Sequence, residues 1–213
     1  IEIADGKAFL KNNPKKYIDI TEVIHGYRYP NGNSIGGQII GRGSFIMRHL
    51  SGMDKETGKG TPGPLWTIGA QGIEVEFDTK EYTYEVVKAI SAIDAGKIIN
   101  PMAAKGVTMG GMAMGLSIAS SEAFIYNDMG VILNPNLRTY KSIRFGEEPE
   151  YLVEFIETPE GDGPYGARGL GEHGLVGIPG ALLNSLSIAA QADLNRLPLT
   201  PETIWRTKTG ETI

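Results

Sequence analysis

One carboxylate and one imidazole stand side by side in a stretch that contains five glycines. The stretch is GPYGARGLGEHG, Gly163 to Gly174, and its two ionisable neighbours are Glu172 and His173. Glycine loses more conformational freedom on folding than any other residue, so this run indicates a backbone that something approaches closely. A carboxylate there can act as a general base if a cleft raises its pKa toward the working pH. On its own, such a carboxylate is most often a solvated surface charge.

Two other patterns suggest chemistry, and neither has the context that it needs. Gly169, Gly171 and Gly174 match the GxGxxG pattern of dinucleotide-binding sites, but about a dozen loop residues separate them from the strand that should precede them directly. Ser34 lies in GNSIG, which matches the nucleophile elbow of hydrolases, yet it follows the turn YPN rather than an apolar strand. The three histidines show no paired ligand spacing, so no metal-ligating residues are predicted.

Composition restricts the classes of function. The 213 residues are 41% hydrophobic and carry a formal net charge of -5, which is typical of a globular chain of one or two domains. Without a broad basic surface, neither nucleic acid nor an anionic membrane is an expected partner. The chain has no cysteine, which excludes disulfides and cysteine-ligated iron-sulfur clusters within it. Its first residues lack the apolar core of a signal peptide, so a cytoplasmic location is expected by default.

Two regions of different character must position the glycine loop. Residues 1–65 are rich in turn formers, and we expect short strands joined by long loops there. Residues 66–213 are predicted to form one continuous α+β unit. Ile73–Asp78 alternates apolar and acidic residues, as in a half-buried strand, and Tyr82–Asp94 is expected to pair with it as an antiparallel neighbour. Tyr151–Thr158 is predicted to be a further strand.

Two helices rich in glycine and other small residues are also predicted. The first, Gly106–Phe124, places Val107, Met114 and Ile118 along one apolar stripe. Glycine inside a helix costs about 1 kcal/mol relative to alanine, so its glycines suggest close contact with another backbone or a ligand. The second helix, Ile178–Leu197, directly follows the glycine loop. The expected fold class is α+β, with mostly antiparallel strands packed against these two helices.

Four stretches, in order along the chain, resemble the large, molybdenum-cofactor-binding subunit of the xanthine dehydrogenase and aldehyde oxidase family. They are DAGKIINP (Asp94–Pro101), KGVTMGGMAMGLSIASSEAF (Lys105–Phe124), YGARGLGEHG (Tyr165–Gly174) and LPLTPETIW (Leu197–Trp205). Together they cover most of residues 70–206, and the ordered set is specific. The first 65 residues resemble the family only loosely.

The resemblance implies a role for the glycine loop. In this family the corresponding loop lies against the pterin cofactor, and its glutamate, here Glu172, sits beside the molybdenum as the catalytic base. The cofactor-binding residues that the resemblance implies are Gly106, Val107, Arg168, Leu170 and Gly171.

The chain departs from the family pattern at two positions. Many members have Gln, a residue that contacts the pterin, where this chain has Val107. The family often has Pro directly after the catalytic glutamate, whereas this chain has His173. The second departure concerns the conformation of the loop and gives Glu172 a titratable neighbour.

The resemblance also implies an activity, cofactors and partners. The activity is hydroxylation of purines, N-heterocycles or aldehydes with oxygen derived from water, and the cofactor is molybdenum-molybdopterin. The implied partners are the upstream part of the same large subunit, which carries most of the substrate pocket, and [2Fe-2S] and FAD domains or subunits. We therefore expect a C-terminal portion of a molybdopterin-binding domain that is inactive alone. The alternative is a cofactor-free packing or assembly domain that keeps the fold.

Overall fold

The chain divides into two compact units, Ile1–Ile46 and Met47–Ile213. The structure is a computed structural model, and it describes residues 1–37, 40–47, 49–63 and 65–211. The first unit contains an antiparallel sheet and a hairpin separated by a short helix. Its elements are β1 (Glu2–Ala4), β2 (Lys7–Leu10), β3 (Asn13–Asp19), α1 (Ile20–His25), β4 (Tyr27–Arg28) and β5 (Ser34–Ile35).

The second unit is built on a three-stranded sheet with β7 at its centre. Strands β6 (Ile68–Phe77) and β7 (Tyr84–Asp94) form the antiparallel pair that the sequence predicts, and β6 begins before the alternating residues. Strand β8 (Glu150–Ile156) lies parallel to β7. The parallel pairing follows from the connection, because the chain between β7 and β8 passes through the long helix α2 (Pro101–Ser120).

Helix α2 begins about one turn earlier than the glycine-rich pattern indicates. Asn100 caps it, since its side-chain oxygen accepts a hydrogen bond of 3.0 Å from the amide of Ala103, and Pro101 suits the first turn. The buried residues of this helix are mostly small: Thr108, Gly111, Met112, Gly115, Leu116, Ser117 and Ala119.

Three further α-helices follow β8 in the described part of the second unit. They are α3 (His173–Val176), α4 (Ile178–Ala190) and α5 (Pro201–Thr209). Helix α4 buries Leu182 and Leu186, as its apolar pattern predicts, but it ends before the predicted Leu197. The helix stops because Gln191 adopts a left-handed conformation, with φ of 52°.

The apolar stripe predicted for α2 does not lie on the face of the helix that packs in the core. Val107, Met114 and Ile118 are 47%, 48% and 38% exposed. The opposite face packs, because Gly111 and Gly115 let the α2 backbone approach α3 and α4. A Cβ on Gly115 would lie 2.9 Å from the Ile178 Cβ, and one on Gly111 would also be in close contact with the neighbouring backbone.

The hydrophobic core of the second unit lies between one face of its sheet and the helices α2, α4 and α5. Its fully buried side chains include Ala89, Met112, Leu116, Ile178, Leu182, Leu186, Leu199 and Ile204. Among the described residues, His173–Ala190 is the stretch long and apolar enough to cross a membrane by length and composition. Here it forms two helices, and the leucines of α4 pack in the core, as in a core helix of a globular domain.

Candidate functional site

The glycine loop between β8 and α3 is attached to the chain that leaves β7. The amide of Arg168 donates to the carbonyl of Ala95 at 2.9 Å, and the amide of Lys97 donates to the carbonyl of Gly166 at 2.8 Å. Gly96 has a φ of 66°, and a Cβ there would lie 3.0 Å from the Arg168 amide nitrogen. The turn at Asp94–Gly96 therefore packs against the turn at Gly166–Gly169 only because both turns contain glycine.

The residues that lead into β6 hold the loop from another direction. The guanidinium of Arg168 donates through Nη1 to the carbonyl of Trp66 at 2.8 Å, and the hydroxyl of Thr67 donates to the carbonyl of Gly169 at 3.2 Å. The loop is thus fixed by hydrogen bonds from the segment before β6 and from the segment after β7.

Asp94, at the end of β7, joins this strand to the end of β8. Its carboxylate accepts hydrogen bonds from the amides of Thr158 and Gly96, both at 3.1 Å. Hydrogen bonding from the Thr158 hydroxyl is the largest cause that lowers the pKa of Asp94, with further lowering by these amides and by the charge of Arg168. Asp94 is therefore held as a carboxylate beneath the loop.

A cavity of about 330 Å³ lies where α2 meets the loop, a size within the usual range of about 300–1,000 Å³ for small-molecule sites. It brings together four of the sequence-predicted cofactor-binding residues: Val107, Arg168, Leu170 and Gly171. The rest of its wall is Ala95, Lys97, Ile98, Ile99, Asn100, Ala103, Ala104 and Ala167. Gly106 and Glu172 do not line the cavity, although each directly precedes or follows a residue that does.

Both cations in the cavity wall are paired with glutamates that lie outside it. Lys97 Nζ is 2.5 Å from Glu157 Oε2, and this hydrogen bond is the main cause that lowers the pKa of Glu157. Arg168 Nη2 is 3.5 Å from Glu160 Oε2, and the Arg168 side chain is only 13% exposed. Its Nε is buried and has no hydrogen-bond partner among the described residues. Buried donors are nearly always satisfied, so a partner for this nitrogen is expected from outside the described residues.

The glycines of the loop serve two different purposes. Gly174 is buried against α2, and a Cβ on it would overlap the carbonyl oxygen of Thr108. A Cβ on Gly171 would meet nothing within 4 Å, and its φ lies outside the left-handed region. The packing of this chain therefore requires glycine at 174 and not at 171. Gly171 thus leaves open space at the edge of the cavity.

Glu172 lies at the first turn of α3 with its carboxylate free. Its backbone occupies the N-cap position, with φ of -116° and ψ of 14°, and its side chain makes no capping hydrogen bond. The residue is exposed, and among the described residues its carboxylate joins no hydrogen bond or ion pair. A carboxylate in this state can accept a proton from a group brought to it.

His173 points to a second, smaller cavity of about 220 Å³. This cavity is lined by Thr67, Gly69, Gln71, Ile93, His173, Val176 and Gly177. The Nδ1 atom of His173 is buried and has no partner among the described residues. Glu172 and His173 thus face different surroundings.

Several residues of the cavity wall were not predicted from the sequence to belong to the site. Lys97, Ile98, Ile99 and Asn100 belong to DAGKIINP, one of the four family-like stretches, and that motif was the signal that could have placed them at the site. Within the described residues, no group of three or more His, Cys, Asp or Glu side chains could hold a metal ion.

Comparisons with known proteins identify the family of the chain. The family of molybdopterin cofactor-binding domains matches residues 1–149, including the N-terminal region whose resemblance by motif is loose. The xanthine dehydrogenase molybdenum-binding subunit of Escherichia coli O157:H7 is 31% identical over 139 residues, which are 65% of this chain and 18% of that protein. The nicotine 6-hydroxylase large subunit of Paenarthrobacter nicotinovorans is 31% identical over 153 residues, 70% of this chain and 19% of that protein.

A solved structure gives the same result for the fold. The aldehyde oxidoreductase from Desulfovibrio gigas is 28% identical, with a TM-score of 0.67 over 75% of this chain and 17% of that one. The chain spans less than a fifth of the length of each of these three relatives. On the family match and these likenesses together, the chain belongs to the molybdopterin cofactor-binding domains of the xanthine dehydrogenase and aldehyde oxidase family.

Proposed function

We propose that this chain is the C-terminal part of the large subunit of a molybdenum hydroxylase that acts on purines, N-heterocycles or aldehydes with oxygen derived from water. One observation carries the proposal: a single cavity is lined by Val107 of α2 and by Arg168, Leu170 and Gly171 of the glycine loop. These residues come from two separate stretches that resemble the family, and folding brings them to one place.

The cavity wall fits a pterin cofactor. Val107 and Leu170 offer apolar contacts, and the backbone at Gly171 leaves room for a ring system to approach. Arg168 Nε would donate to a polar atom of the cofactor, which would give this buried nitrogen the partner that it lacks. Val107 cannot supply the polar contact that Gln supplies in many relatives, so the loop residues would hold more of the cofactor here.

When bound, the molybdenum cofactor supplies the oxidation-reduction chemistry of hydroxylation. The role of Glu172 is to accept a proton at its carboxylate as the new carbon-oxygen bond forms. A general base needs a free carboxylate within reach of that proton and a pKa raised toward the working pH. The free carboxylate is present in this chain.

The remaining walls of the site lie in the proposed partner, the upstream part of the same large subunit. The chain alone should accordingly bind little molybdopterin and lack activity. Electrons would leave through [2Fe-2S] and FAD domains or subunits, and the substrate would be a small molecule. The alternative, a cofactor-free packing domain, predicts a crowded environment for Glu172. Glu172 is exposed in this chain, so its environment is not crowded.

The proposal is tested by filling the cavity in the complete large subunit. Gly171→Leu places a side chain in the space reserved for the cofactor, and Gly161→Leu is the matched control, since a Cβ on Gly161 also meets nothing within 4 Å and Gly161 does not line the cavity. We expect Gly171→Leu to lose most of its molybdenum by elemental analysis, about tenfold or more, while Gly161→Leu stays near wild type. A folded Gly171→Leu subunit with full molybdenum content would contradict the cofactor site.

A further inference from the structure

One side chain of the sheet spans the turn that follows Glu172. Gln71, on β6, donates from Nε2 to the carbonyl of Gly174 at 2.7 Å, and its Oε1 accepts from the amide of Gly177 at 2.6 Å. Gly174 lies inside α3 and Gly177 lies directly after it. A single amide therefore holds two points of this turn, and it does so across 103 and 106 residues of sequence.

The Gln71 amide is itself fixed in orientation. Nε2 also donates to the hydroxyl of Ser91 at 3.1 Å, and Ser91 is fully buried on the neighbouring strand β7. A Cβ on Gly177 would overlap the Gln71 amide oxygen, so the close approach depends on glycine at that position. The amide is held by the sheet on one side and by the turn on the other.

Helix α3 has little to stabilise it from within. It is four residues long, and Glu172, at its N-cap, makes no side-chain capping bond. Isolated helices this short are unstable in water, so contacts from outside must hold the turn. Gly174 packs on α2 from one direction, and Gln71 binds the turn from the sheet. The amide of Leu175 donates to the carbonyl of Glu172 at 3.0 Å, which links the turn to the Glu172 backbone.

We propose that Gln71 is a positioning residue for Glu172. The proposal rests on the proposed function, in which Glu172 is the general base. By fixing Gly174 and Gly177, Gln71 sets where the α3 turn begins and hence where the Glu172 carboxylate is presented. Displacement of a catalytic group by about 1 Å can cost about 10²-fold in rate, so a remote hydrogen bond of this kind can control turnover.

The first test measures the turn in the 213-residue chain, independently of catalysis. Gln71→Glu keeps the shape but replaces the donor that faces the Gly174 carbonyl with an acceptor. Amide hydrogen exchange at Leu175 and Gly177 should be at least about tenfold faster than in the wild type near neutral pH. Ser185→Ala is the matched control, because the Ser185 hydroxyl donates to the Ile73 carbonyl at 2.7 Å and thus also joins a helix to β6. Ser185→Ala should leave the exchange rates of both amides within about twofold of the wild-type rates.

The variant also predicts a rescue by acid. A protonated Glu at position 71 can donate to the Gly174 carbonyl again, and this hydrogen bond raises its pKa in the folded state. Its stabilising effect is therefore present at low pH and is lost as the pH rises through that pKa. The exchange ratio of variant to wild type should fall toward one on acidification. If Gln71→Glu does not fold, Gln71→Met, similar in length and uncharged, should show the faster exchange without rescue.

The second test uses the complete enzyme. Gln71→Glu should lower kcat by about 10- to 100-fold, with KM within about twofold and molybdenum content unchanged, and Ser185→Ala should keep wild-type kinetics. If Glu172→Gln retains turnover, the proposed function fails. If Glu172→Gln is inactive while the folded Gln71 variant keeps kcat within about twofold, the positioning role alone is refuted. Unchanged exchange at Leu175 and Gly177 in that variant also overturns the proposal.

Discussion

Gly174→Ala is predicted to destabilise the second unit although it adds only one methyl group. Gly174 is buried where α3 meets α2, and its new Cβ would overlap the Thr108 carbonyl oxygen and lie 3.0 Å from the Thr108 carbonyl carbon. Both atoms belong to the backbone of a helix of 20 residues, so they cannot move aside as a flexible side chain would. The two helices must separate, or α3 must distort.

The size of the effect follows from two opposing terms. Overpacking a tight contact typically costs about 1–3 kcal/mol, and a backbone clash belongs at the upper end of that range. Alanine is favoured over glycine in a helix by about 1 kcal/mol, which offsets part of the cost. The net loss should be about 2 kcal/mol, which lowers Tm by roughly 4–8 °C for a unit of this size.

The assay is thermal unfolding followed by tryptophan fluorescence. Both tryptophans of the chain, Trp66 and Trp205, lie in the second unit, so the signal reports that unit. Gly171→Ala is the matched control, because its Cβ meets nothing within 4 Å, and its stability should stay within about 0.5 kcal/mol of wild type. The packing argument is refuted if Gly174→Ala melts within about 1 °C of wild type, or if both variants are destabilised equally.

Two further predictions concern the sheet and its helix. Leu182→Ala should lower the free energy of unfolding, measured by urea denaturation, by about 2–5 kcal/mol because Leu182 is fully buried. Ile188→Ala on the same helix, at a site 79% exposed, should lower it by less than about 0.5 kcal/mol. Equal losses would contradict the position of the core. Hydrogen bonds, led by that of the Thr158 hydroxyl, lower the pKa of Asp94 below its ordinary value of 3.8 in the folded state. The Asp94 carboxylate therefore stabilises the fold at pH values above 3.8. This stabilisation is lost as the pH falls through the lowered pKa. Asp94→Asn should accordingly be less stable than wild type near about pH 6, with the difference shrinking in acid; a pH-independent difference would contradict this role.

The sequence could predict elements whose pattern is local. Alternation in Ile73–Asp78 identified β6 and its antiparallel partner, and the spacing of Leu182 and Leu186 identified the buried face of α4. Both signals come from side chains that are buried because they are apolar. The glycine loop, too, was recognisable as a place of close approach.

The sequence could not predict contacts that depend on backbone proximity. Apolar periodicity favoured the stripe of Val107, Met114 and Ile118, whereas α2 packs through Gly111 and Gly115, which have no side chain to register in such a pattern. The same limit applies to the loop glycines, because apolar periodicity does not distinguish Gly174, which packs against α2, from the open Gly171.

The sequence also could not predict long-range hydrogen bonds. Gln71 looks like one polar residue in an ordinary strand, and its partners are more than a hundred residues away. The parallel placement of β8 is set by the α2 crossover rather than by the residues of the strand itself. Such features become visible only when the chain is folded.

The role of Glu172 as general base is tested most directly by the turnover of Glu172→Gln in the complete enzyme at full molybdenum occupancy. This substitution keeps the shape of the side chain and removes its ability to accept the proton. We predict that kcat falls by at least about 10² to 10⁴-fold with molybdenum content unchanged, whereas His173→Ala, at the adjacent residue, costs far less. A fully loaded Glu172→Gln enzyme that keeps more than about a tenth of wild-type turnover would contradict the assignment.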